Sequence, residues 1–70
     1  MLRRPRHRLH KQVRVHMVER EQSIEGILLG RVAGHYRLVN ASLVGETQRY
    51  PLGGEQWIPY ERVLYVQVLS

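Results

Sequence analysis

Three features of these 70 residues predict an all-β chain, a five-stranded small β-barrel behind a basic N-terminal arm. Val13, Val15 and Met17 alternate with Arg14, His16 and Val18, the period-two signature of a half-buried strand. Glycines then punctuate a long apolar run, as they do where a small barrel turns its corners. No stretch of about ten residues carries the periodicity of an amphipathic helix.

The strands follow in order. Residues 19–23 are polar and suit a turn. Residues 24–33 are rich in Ile, Leu and Val on both parities, with Gly26 and Gly30 inside the run and Gly34 just past it. A glycine in a strand marks a bend, a bulge or a close backbone approach. Residues 36–44 alternate again, and residues 45–47 form a turn or bulge. Gly53-Gly54 favours a tight hairpin, after which Gln56-Trp57-Ile58 is a short strand stopped by Pro59. Tyr60-Glu61-Arg62 allows one helical turn before a last strand over residues 63–69. That strand is apolar on both parities, so its second face predicts contact with a neighbouring subunit.

One domain fills the chain, with residues 1–12 as the arm and residues 13–70 as the barrel. A chain this short buries about 60% of its unfolded surface, and without cysteine it has no disulfide staple. A partner or an oligomer is the expected source of further stability.

The net charge of +5 is unevenly spread. Arg3, Arg4, Arg6, Arg8, Lys11 and Arg14 meet no acid in residues 1–16, whereas five arginines face six glutamates in the rest. The body is nearly neutral and the arm is cationic, so any attraction to acidic partners belongs to the arm. Arginine forks suit phosphates and carboxylates alike, leaving nucleic acid and an acidic protein surface both open. No apolar run reaches membrane-spanning length, and the basic start lacks the apolar stretch of a secretory signal.

Residues 30–43 resemble the first motif of the Sm and Sm-like proteins, in which a glycine is followed by an apolar residue at two, an aspartate at six, an apolar residue at nine and an asparagine at ten. Gly30, Val32, Val39 and Asn40 fit; Tyr36 stands at the aspartate position, in a chain with no aspartate at all. Residues 57–66 resemble the closing segment of that family, without its Arg-Gly or Lys-His pair. The resemblance implies an Sm-like or SH3-like barrel. Small barrels of this kind also occur among minor structural proteins of tailed bacteriophages, where they join subunits.

Catalytic chemistry finds no support. Ser23, Ser42 and Ser70 sit in no nucleophile elbow, and the glycines of residues 26–34 lack a P-loop lysine. His7, His10 and His16 read as solvated histidines, so no metal and no cofactor is expected. Trp57, Ile58, Tyr60, Val63, Tyr65 and Leu69 are the expected subunit interface, since aromatic residues anchor such surfaces. The expected function is that of a non-enzymatic structural subunit of a larger assembly, a bacteriophage virion component whose arm docks on a neighbouring subunit or packaged nucleic acid. Its place would be the virion, or the cytoplasm if no phage encodes it. The alternative is an Sm-like ring that binds RNA.

Overall fold

The computed structural model describes residues 10–19 and 22–70. The arm arginines Arg3, Arg4, Arg6 and Arg8 lie outside the described residues. Among the described residues five strands follow one another: β1 (Lys11–Met17), β2 (Ser23–Val32), β3 (His35–Val44), β4 (Arg49–Pro59) and β5 (Val63–Val68), with a 3-10 turn, Tyr60–Arg62, before the last. Every pairing is antiparallel, in the order β4-β3-β2-β1-β5. The expectation of an all-β, five-stranded chain holds.

The closed barrel does not. β4 and β5 are the two edges of an open sheet and do not pair with each other. The reason lies in the 3-10 turn. Its first amide, Tyr60 N–H, donates to Gly34 O at 2.9 Å, and its last carbonyl, Arg62 O, accepts from Val18 N–H at 3.0 Å. The chain is thereby carried across the end of the sheet to the far side of β1, where β5 pairs along residues 13–17. Closure would need β4 and β5 to share a staggered ladder, and these bonds take the chain past it.

Gly53-Gly54 makes no hairpin. β4 runs unbroken through it, and the register with β3 slips by one residue between Val39↔Glu55 and Ala41↔Leu52. The extra residue sits in a bulge with Gly54 at φ +70°. Leu52 and Ile58, on either side of the glycines, both reach the core, so burial holds the strand together where local preference would fold it back.

Among the described residues, Val13 and Val15 from β1, Leu38 and Ala41 from β3, and Ile58 from β4 are the buried apolar residues. Leu38 and Ala41 have opposite parity and would face opposite sides of a regular strand. Asn40, at φ +54°, takes up the extra residue between them, and the β2–β3 register shifts at the same point. Opposite lies Gly26, where an added Cβ would come 3.0 Å from Ala41 Cβ and 3.1 Å from Val39 O. Glycine, bulge and bulge thus line up across β2, β3 and β4. The sheet creases there.

Ala33 and Gly34 join β2 to β3, flanked by the pair Val32↔His35, with φ of +47° and +77°. Positive φ at both central residues defines a type I′ turn, whose favoured first residue is asparagine. Alanine in that conformation costs about 1–2 kcal/mol.

Two changes test this account by urea titration. Gly26→Ala is expected to lower stability by about 1–3 kcal/mol, because its methyl meets Ala41 Cβ and the β3 backbone, neither of which can swing away. Ala33→Asn is expected to raise it by about 0.5–1 kcal/mol. Unchanged midpoints in both would separate the crease and the turn from the fold's stability.

Candidate functional site

The β2–β3 turn and the 3-10 turn meet at one end of the sheet and bring an aromatic rim together. Arg31 stands opposite Tyr36 across β2–β3, and Tyr36 opposite Ile58, two residues ahead of Tyr60, across β3–β4. The Tyr36 and Tyr60 rings are 4.8 Å apart and tilted by 60°, an edge-to-face contact. The Arg31 guanidinium lies over Tyr36 at 5.9 Å, within cation–π range. Tyr36 also packs on the core, which fixes one ring, while Tyr60 stands exposed beside it.

On the opposite face of the same end, Arg37 donates to Glu55 Oε2 at 2.6 Å and Trp57 Nε1–H to Glu55 Oε1 at 2.8 Å. The Arg37 bond, and then the Trp57 bond, hold the Glu55 carboxyl below its usual range. The His35 ring lies 6.1 Å from Trp57. Aromatic faces with cations beside them are suited to stacking nucleobases while attracting phosphates. His35 and Arg31 form no part of the sequence-derived site; the signal was the pair of turns, each flanked by tyrosine.

The other expected site residues fall in different places. Gly30 sits beside a β2 bulge, Val32 ends β2, and Val39 pairs with Ile27. Asn40 is exposed at the crease, about 17 Å along β3 from His35. Ile58 belongs to the core, and Val63 packs against it, so neither side chain is open to a neighbour in the way Trp57, Tyr60, Tyr65 and Leu69 are. β5 turns Val66 inward and leaves Leu64, Tyr65 and Val68 at 63%, 53% and 56% exposure. Leu64 and Val68 are thus part of the apolar edge alongside the aromatic residues.

Arg14 is not a free cation of the arm. β1–β2 pairing sets it opposite Glu25, and its Nε donates to Glu25 Oε2 at 2.6 Å, with a second bond from Nη2. Arg49 reaches the same carboxylate from β4, Nη1 to Oε1 at 2.7 Å. The Glu25 side chain is 11% exposed. The bond from Arg49, followed by that from Arg14, lowers its pKa and keeps it ionised against the opposing effect of burial. Lys11, at the start of β1, stays exposed.

No family model matches the sequence, and neither does any curated protein. The solved structures of two Sm proteins do share the fold. One is the P. aerophilum SmAP1 heptamer, at TM-score 0.77 and 24% identity over 89% of this chain and 82% of that one. The other is a heptameric archaeal Sm protein, described for its implications for the eukaryotic snRNP core, at the same TM-score and identity over 89% and 90%. The chain has the Sm-like fold. Its structural neighbours are archaeal Sm assemblies, which overturns the expectation of a bacteriophage virion component, minor capsid or head-tail.

The Glu25 cluster sets a pH dependence. A carboxyl with a lowered native pKa adds stability that is complete above its ordinary value of 4.5 and is lost as pH falls through the lowered one. The unfolding midpoint of the natural chain is therefore expected to drop more steeply in that acid range than that of Glu25→Gln, with the two converging at the acid end. Parallel acid limbs would remove Glu25 from the account.

Proposed function

We propose that this protein binds RNA as a closed ring of identical subunits, β4 of one copy against β5 of the next, with bases stacked on the Tyr36–Tyr60 rim. The observation that carries the reading is the open sheet: two unpaired edge strands, one of them apolar and half-exposed on its outward residues. Unpaired edges are templates for another strand, and natural sheets blunt them unless pairing is their purpose. Heptameric assembly of the two structural neighbours supports the same reading.

Contact between one edge and the opposite edge of the next copy is head-to-tail, and repeats of it close when the rotation per copy divides a full turn. Burying Leu64, Tyr65 and Val68 there also supplies apolar area that a small core lacks. RNA then meets Tyr36, Tyr60 and Arg31 once per subunit. Arg3, Arg4, Arg6 and Arg8 add salt-dependent attraction to its phosphates without reading sequence. The action is binding, with no bond made or broken.

Native mass spectrometry with and without a short single-stranded RNA tests this reading. A discrete closed oligomer that takes up RNA is expected. Val68→Lys is expected to yield monomers, and Tyr60→Ala to keep the oligomer while weakening RNA about tenfold, the worth of one stacked base. A natural chain that stays monomeric, or an oligomer indifferent to RNA, would overturn it.

A further inference from the structure

We infer that residues 7–10 of the arm lengthen β1 along β2 when RNA is bound, with a phosphate held between Arg8 and Arg31. This inference rests on the RNA-binding reading and adds the place where the arm meets the sheet. β2 outruns its partner on this side. The β1–β2 ladder ends at Lys11↔Leu28, while β2 continues through residues 29–32. β3 covers the other side of that stretch, through Gly30↔Arg37, Arg31↔Tyr36 and Val32↔His35. Among the described residues nothing pairs with it on the β1 side. Its backbone groups there form a short unpaired edge within the sheet, which another strand can complete.

The segment that fits this edge is the one joined to it. Antiparallel counting past Lys11↔Leu28 sets His10 opposite Leu29, Leu9 opposite Gly30, Arg8 opposite Arg31 and His7 opposite Val32. Four residues at about 3.3 Å each reach the end of β2. Pro5, which has no amide to give to a ladder, falls beyond that end and interrupts nothing. Strand alternation puts Arg4, Arg6 and Arg8 on one face. Residues opposite one another share a face, so theirs is the face of Arg31 and Tyr36.

Charge makes the extension conditional. Directly opposed residues on antiparallel strands have Cβ atoms about 5 Å apart, and like charges there are destabilising. Arg31 has no ion pair among the described residues and lies over the Tyr36 ring. A phosphate between two guanidinium forks turns their repulsion into charge-assisted hydrogen bonds on both sides. RNA lying on the Tyr36–Tyr60 rim carries such a phosphate beside each base it stacks. Pairing of the arm and binding of RNA therefore favour each other.

Amide hydrogen exchange on the full chain, with and without a short single-stranded RNA, tests the inference. RNA is expected to slow exchange in residues 7–10 and 30–32. Leu9→Pro combined with His10→Pro keeps every arginine and removes an amide that faces β2 whichever way the pleat falls. That double variant is expected to lose the protection and to bind RNA about tenfold more weakly at constant salt, the loss of one charge-assisted hydrogen bond. Arg31→Glu replaces the repulsion with an ion pair, and is expected to protect residues 7–10 with no RNA present. Bound RNA without new protection in the arm, undiminished binding by the double proline variant, or an Arg31→Glu arm that exchanges as the natural one does, overturns the inference. The RNA-binding reading fails separately, by RNA left unbound by the natural chain; the Arg31→Glu experiment, read without RNA, still decides whether the arm can lengthen β1.

Discussion

The approach of β2 to β3 at Gly26 is the contact on which the architecture turns. A hydrogen in place of a methyl lets Ala41 come within van der Waals reach of the β2 backbone. Because Asn40 and Gly54 absorb extra residues beside it, three neighbouring strands bend along one line. That bend brings Leu38, Ala41 and Ile58 over Val13 and Val15, so a handful of side chains can enclose a core. The open edges have a separate cause, the 3-10 turn that carries the chain past β4 to the far side of β1.

Much of the fold could be read from local chemistry. The alternation of Val13 and Val15 marks β1, and the glycines of β2 do mark bulges and a close approach. Gly53-Gly54 misleads, because its turn preference is local while the burial of Leu52 and Ile58 on either side is not. Barrel closure was equally out of reach: it hinges on where the 3-10 turn hands the chain over, through bonds to Gly34 and Val18 that no sequence spacing specifies.

The site was legible in parts. Tyr36 and Tyr60 stand in the two segments that resemble Sm-like motifs, yet only the meeting of two turns makes them one surface. Arg14 looks like part of a cationic arm when read along the chain, and becomes half of a clamp on Glu25 once β1 and β2 pair. Spacing groups Asn40 with Gly30 and Val32, whereas the fold sends it to the crease. Charge in the linear sequence overstates what is free to bind, since cross-strand partners lie 11 and 24 residues from Glu25.

The bulge at Gly53-Gly54 has a consequence for geometry on a larger scale. β4 carries both this bend and one of the two edges, so its curvature sets the angle at which a second copy would be presented. A head-to-tail contact is indifferent, locally, to whether the series it begins comes back to its start. In the proposed ring, slightly more or less bend at two glycines would alter how many copies complete the circle. A larger departure would turn the circle into a helical filament, with no change in any residue at the contact itself.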